Sequence, residues 1–265
     1  MAFTVIIPAR LGSQRLPGKV LLDIAGKPMI QRVYEQACLS AAARVIVATD
    51  DAQVATVVRA FGGQVCMTAA SHLSGTDRLQ EVAVREGLAA DALVVNVQGD
   101  EPLMPPAVIN QLAQNLAASN LQGRQASMAT LYEDTTDLSD IFDPNVVKVV
   151  TDASQRALYF SRAPIPWARD DFSAQPPRLP VGVTYKRHLG IYGYRVALLH
   201  RFVTWPPAPL ELIEKLEQLR VLWHGETIHI EAACEPIPPG IDTAQDLARV
   251  RELLGRQASE IKSSK

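Results

Sequence analysis

Residues 3–19 read FTVIIPARLGSQRLPGK, and their reading decides the fold. The apolar run 5–8 predicts a short buried strand, and the glycine-containing polar loop after it predicts a turn back toward a covering helix. Working outward, residues 28–39 carry helical spacing with Pro28 at the first helical position. Residues 45–48 form a second strand, and Thr49-Asp50-Asp51 offers caps for a helix through Phe61. Gly62-Gly63 stops that helix before a third strand at 64–67. A helix opening at Thr76 or Asp77 runs to about Leu88, a wholly apolar strand follows at 92–97, and a helix spans 106–118. Strands alternating with helices predict a doubly wound α/β fold with a mainly parallel sheet.

The alternation breaks after Ser127. Residues 146–151 and 157–160 predict a hairpin, and 162–180 are proline-rich with little apolar periodicity. Strands resume at 189–194 and 228–231, with helices near 195–204 and 209–222. A last helix begins near Thr243 and fades after Leu254, leaving 257–265 as a frayed tail. The expectation is one domain, with a core of 1–126 and 223–256 and an inserted β-rich and helical region at 127–222.

The chain has 265 residues, 48% hydrophobic and 20% charged, with a formal charge of −2. That balance excludes a nucleic-acid surface built on overall positive field. Three cysteines, Cys38, Cys66 and Cys234, show no C-x-x-C spacing and are expected as core residues of a protein in a reducing compartment. A charged-then-apolar leader and a membrane-length apolar run are both missing from the sequence, so a soluble, cytoplasmic protein is expected.

The loop 8–19 lacks the dinucleotide and P-loop glycine patterns, but it places Arg10, Arg15 and Lys19 just beyond a strand, where cations and glycine amides can surround a triphosphate. Ordinary surface charges are the alternative. Residues 74–78, SGTDR, read as a helix cap, as a nucleotide contact, or as both. Residues 94–102, VVNVQGDEP, end an apolar strand in Gly-Asp, which sets Asp100 at the sheet edge where α/β proteins bind ligands. Magnesium takes one or two such carboxylates together with phosphate oxygens and water, while a turn aspartate is the alternative. Asp242 precedes the last helix and reads first as its N-cap. The five histidines lack zinc spacing. His188, at the start of a strand, reads as a structural residue unless a polyhydroxylated substrate lies beside it. Glu211, Glu214 and Glu217 sit three apart on an amphipathic stretch and read as a solvated face. The apolar side of that stretch could meet a second subunit.

The strings VIIPARLGSQRLPGK, SGTDRL, NVQGDEP, YFSRAPIPW, RHLGIYGYR, LEQLRVLW and GIDT occur in the order seen in bacterial 3-deoxy-manno-octulosonate (KDO) cytidylyltransferases, which this chain resembles from Phe3 to about Leu254. The resemblance implies a Rossmann-like nucleotidyltransferase fold and a Mg2+-dependent transfer of CMP from CTP to KDO for lipopolysaccharide synthesis, by a cytoplasmic homodimer without nucleic-acid or membrane partners. It implies that Arg10, Ser13, Arg15 and Lys19 hold the CTP phosphates and that Ser74, Gly75 and Arg78 hold the nucleoside. Asp100 and Asp242 would bind magnesium, with Arg10, Lys19 and Asp100 catalytic. Gln98, Arg162, His188, Tyr192 and Glu217 would contact KDO, and the inserted region would carry sugar binding and dimerisation. A sialic acid cytidylyltransferase shares the basic loop and metal aspartate, but should not carry HLGIYGYR and LEQLRVLW together. A non-catalytic nucleotide-binding protein is disfavoured by Lys19, Asp100 and Asp242.

Overall fold

The fold is described from a computed structural model, which covers residues 2–12, 16–72, 74–119, 123 and 125–263, with side chains as far as 255. The first half runs β1 (Phe3–Pro8), a 3-10 turn (Lys19–Leu21), β2 (Asp23–Ile24), β3 (Lys27–Pro28), α1 (Met29–Cys38), β4 (Arg44–Thr49), α2 (Ala52–Ala60), β5 (Gln64–Met67), α3 (Gly75–Arg85), β6 (Leu93–Asn96) and α4 (Pro106–Ala118). Then come β7 (Met128–Thr135), α5 (Leu138–Phe142), β8 (Lys148–Thr151), β9 (Ala157–Ser161), β10 (Tyr185–Arg195), α6 (Val196–Phe202), α7 (Pro209–Glu214), α8 (Gln218–Trp223), β11 (Ile228–Ala232) and α9 (Ala244–Ser263).

The chain divides into two compact units, Met1–Asn110 with Ile237–Lys265, and Gln111–Pro236. The inserted unit is therefore wider than 127–222. Its extra strand is β11, which pairs in parallel with β7 from Ile228 opposite Met128 to Ala232 opposite Tyr132.

In the first unit β1 lies between β4 and β6, parallel to both, and β5 continues beyond β4. Burial on both faces explains the unbroken apolar runs: Val5, Ile6, Ile7, Val94 and Val95 are fully buried. The covering helices start where their sequences supply caps. Asp51 accepts the Gln53 and Val54 amides to begin α2. Ser74 and Asp77 form a reciprocal capping box for α3. Pro28 stands one residue before α1, in an extended conformation, instead of inside its first turn. Ile24, Met29, Ile241, Leu247 and Val250 form a small core under α9. That helix continues past Leu254 to Ser263, through most of the expected tail.

In the inserted unit β10 runs antiparallel to β7, while β8 and β9 form the expected hairpin, with β8 also beside β10. Residues 209–222 are two helices, not one. Lys215 takes a left-handed backbone, φ 55°, which ends α7 before α8 can begin. The break removes the common face assumed for Glu211, Glu214 and Glu217. Glu211 is instead buried against Arg220, whose Nε lies 2.8 Å from Oε2. Of the cysteines only Cys66 is buried, while Cys38 and Cys234 are exposed.

Candidate active site

The carboxyl ends of β1 and β6 open onto a cavity of about 670 Å³. Its wall includes Pro8, Arg10, Gly12, Lys19, His72, Ser74, Gly75, Arg78, Gln98, Gly99, Asp100 and Asp242. Ser13 and Arg15, the other two expected phosphate ligands, lie outside the described residues.

Two glycines shape this wall. Gly18 adopts φ 65°, a left-handed conformation that glycine takes at little cost and that starts the turn carrying Lys19. Gly99 passes so close to β1 that a Cβ would stand 2.9 Å from the Pro8 carbonyl oxygen. The absence of a side chain lets the Gln98–Asp100 turn lie against the end of β1.

Lys19 gathers the carboxylates. Its Nζ donates to Asp100 Oδ2 at 2.6 Å and to Asp242 Oδ1 at 3.1 Å. Partial burial works against the ammonium charge, but the hydrogen bonds and charges of Asp100 and Asp242 outweigh it and hold the pKa above the usual lysine value. Asp242 does not cap α9, because Thr243 and Asp246 do so reciprocally. Thr243 N donates to Asp246 Oδ2 at 3.0 Å, and Asp246 N to Thr243 Oγ1 at 3.2 Å. The Ile241 amide donates to the Asp100 carbonyl at 2.9 Å and joins the two acidic segments. Beside them, burial and then the Asp100 charge push the Glu101 carboxyl up to about 8.

The nucleoside-side residues are structural and accessible at once. Ser74 caps α3, and Arg78 is buried with its guanidinium on Thr68 Oγ1 and, at 3.2 Å, on Asp50 Oδ1. Both residues still border the cavity. His72, unmarked by any spacing in the sequence, is a further member of the wall. Its one sequence signal is that it shares the strand-to-helix loop with Ser74.

Of the sugar residues expected in the inserted unit, His188, Tyr192 and Glu217 lie together. Between Leu189 and Tyr192 the β10–β7 register slips, so that His188 faces Tyr132 and Tyr192 faces Thr130. Four residues of β10 thereby span two of β7, and the His188 and Tyr192 rings come within 5.5 Å. Thr130 Oγ1 lies 2.9 Å from His188 Nε2 and 2.8 Å from the Ile191 carbonyl oxygen. Burial pushes the His188 imidazole down to about 3. Burial, then Tyr194 and Glu217, raise the Tyr192 phenol well above its usual value, so Glu217 is part of the same surroundings. Arg162 is held by backbone oxygens, its Nε 2.7 Å from the Glu214 carbonyl and its NH1 2.8 Å from that of Pro144. The Glu214 carboxylate accepts from Ser161 Oγ at 2.6 Å and from the Arg162 amide at 3.0 Å. Glu214 is thus a framework residue, not part of a solvated face.

A parallel sheet whose strand ends bear cations, paired carboxylates and a helix N-terminus defines a nucleotide-handling α/β protein. Residues 4–228 match the family model described as Cytidylyltransferase. The chain is 62% identical over 255 residues to the 3-deoxy-manno-octulosonate cytidylyltransferase of Cellvibrio japonicus (strain Ueda107), across 96% of this chain and 98% of that protein. It is 58% identical over 253 residues to the protein of that name from Pseudomonas syringae pv. syringae (strain B728a), with the same coverage. The solved structure of CMP:2-keto-3-deoxy-manno-octonic acid synthetase complexed with CTP superposes with a TM-score of 0.84 at 43% identity, over 97% of this chain and 99% of that one. The chain belongs to the cytidylyltransferase family and, within it, to the 3-deoxy-manno-octulosonate cytidylyltransferases.

Proposed function

We propose that this protein transfers CMP from CTP to KDO and releases pyrophosphate. The observation that carries the reading is the convergence of Arg10, Lys19, Asp100 and Asp242 on one cavity at the β1 and β6 ends, in a chain 62% identical to a cytidylyltransferase for this sugar acid. In the reaction the anomeric hydroxyl oxygen of KDO bonds to the α-phosphorus as the bond to pyrophosphate breaks, and the hydroxyl proton is lost. Negative charge grows on the departing pyrophosphate and on the α-phosphoryl oxygens, so positioning and charge neutralisation supply most of the acceleration. Arg10 and Lys19 stand where they can meet that charge, while Ser74, Gly75 and Arg78 border the place for the nucleoside.

Asp100 and Asp242 fit magnesium: both send a carboxylate oxygen to the same ammonium, so two hard donors converge on one cationic position. No group of three or more His, Cys, Asp or Glu arranged to hold a metal occurs among the described residues, and magnesium bound with phosphate oxygens and water needs only two carboxylates. When bound, the ion would neutralise phosphate charge and favour ionisation of the attacking hydroxyl. Gln98 on the cavity wall, and Arg162, His188, Tyr192 and Glu217 of the inserted unit, are proposed for KDO. Arg162 suits its carboxylate and the others its hydroxyls. A cytoplasmic homodimer completes the reading, with the exposed Leu212 and Ile213 as apolar material for a subunit contact.

The test is incubation with CTP, Mg2+ and a panel of sugar acids, with pyrophosphate and the CMP-sugar measured. KDO with CTP should be the productive pair. Equal rates with ATP, GTP or UTP, or with sialic acid in place of KDO, would overturn the specificity.

A further inference from the structure

His72 is held like a ligand-contacting group. It borders the cavity beside Ser74 and Gly75, and its Nε2 lies 2.5 Å from Glu81 Oε2. Glu81 stands on α3, whose start is fixed by its capping box, and its carboxylate is engaged from three sides. Oε2 also accepts the Ala69 amide at 2.8 Å, and Oε1 accepts Arg85 Nε at 2.7 Å. Burial opposes the Glu81 charge, but the Ala69 amide, His72 and Arg85 together pull its pKa down to about 2. An ionised carboxylate only accepts hydrogen bonds, so the imidazole proton sits on Nε2. Arg85 NH2 also pairs with Glu81 Oε1 at 2.6 Å. In the neutral ring the other nitrogen, Nδ1, then carries the lone pair; it has no hydrogen-bond partner among the described residues, and His72 lines the cavity.

We infer that His72, positioned by Glu81, is a specificity residue of the nucleotide site, accepting at Nδ1 a hydrogen bond from a donor on the nucleoside. Two donors have the right chemistry, the cytosine 4-amino group and a ribose hydroxyl. A carbonyl at the same place, such as uracil O4, would face the lone pair and be disfavoured. Glu81 is the positioning residue, because it selects the tautomer without touching the nucleotide. The inference rests on the reading of the cavity as the CTP site.

The first experiment follows the full chain, labelled with 15N-histidine, by NMR during titration with CTP. The Nδ1 resonance of His72 should move as its lone pair is engaged, while Nε2 stays in the protonated range. An unmoved Nδ1 at saturating CTP overturns the proposal. The second compares wild type with His72→Ala, and competition against CTP supplies affinities for UTP, 2′-deoxy-CTP and 3′-deoxy-CTP. His72→Ala should raise KM for CTP roughly fivefold to tenfold with kcat within about twofold, and His72→Gln, which restores an acceptor, should recover part of the loss. The penalty should vanish for the one analogue that lacks the donor, which identifies the base or the ribose. An equal penalty for every analogue overturns the proposal. Glu81→Gln should raise KM for CTP by about threefold without removing turnover, because the amide no longer dictates the tautomer. Wild-type protein inactive with CTP and KDO would overturn the functional reading, whereas active wild type with an unmoved Nδ1 would overturn only the role of His72.

Discussion

The two units treat their polar residues differently. In the first, Arg10, Lys19, Ser74, Arg78, Asp100 and Asp242 border open space, and the pairs they form leave them facing a cavity. In the inserted unit, Arg162, Glu214, Lys148 and Thr130 satisfy one another and the backbone. The lesson is that the first set is arranged around something to be bound, and the second holds aromatic and hydroxyl-bearing residues in place.

The difference predicts how substitutions divide between activity and stability. The largest effect is expected at Asp100. Asp100→Asn should lower kcat by about 10² to 10³-fold while leaving thermal unfolding nearly unchanged. Full activity in steady-state assays would remove Asp100 from the reaction. Lys148 offers the opposite case, since its fully buried ammonium donates to the carbonyls of Asp143, Val146 and Arg162 at 2.8, 2.5 and 2.7 Å. Lys148→Met leaves these acceptors unpaired and should cost about 2–3 kcal/mol in urea unfolding. A loss of activity without a loss of stability would place Lys148 with the first set instead.

Gly99→Ala probes the boundary between the two behaviours, because the added methyl meets the Pro8 carbonyl at 2.9 Å. We expect about 1–2 kcal/mol of destabilisation together with a raised KM for CTP, as the Asp100 turn is forced away from β1. Unchanged values for both would show that the close approach is relaxed freely.

The smallest effect expected at neutral pH lies at His188. Its folded pKa, about 3, is below the value near 6.5 of an unconstrained imidazole, so between these values the unfolded chain binds more protons than the folded one. Stability from the neutral ring is present above about pH 6.5 and falls as pH drops toward 3. His188→Gln should flatten that part of the stability–pH curve. An unaltered curve would mean that the ring titrates as if exposed.

Much of the first unit was legible because its signals are local. The strand at 64–67 coincides with β5, and glycine stops and side-chain caps mark its neighbours. Asp100 was legible as well, since an apolar run ending in Gly-Asp is a sheet-edge signature. The inserted unit was harder to read. The strand Met128–Thr135 was not distinguished within 127–145, and the left-handed Lys215 splits what periodicity presents as one helix. His72 escaped notice because its partner Glu81 lies across a helix start, at no characteristic spacing.

The sequence by itself determined the alternation of strands and helices, the cationic loop, the Ser74 cap and the family, because each is written in short runs of residues. Tertiary structure decided which alternatives were real. It put Asp242 on Lys19 rather than on the end of α9, committed the Arg162 guanidinium partly to backbone carbonyls, and set the His72 ring against Glu81. Lys19 and Asp242 stand 223 positions apart. Only folding, which brings together ends of elements that share no local pattern, can make two such side chains one site.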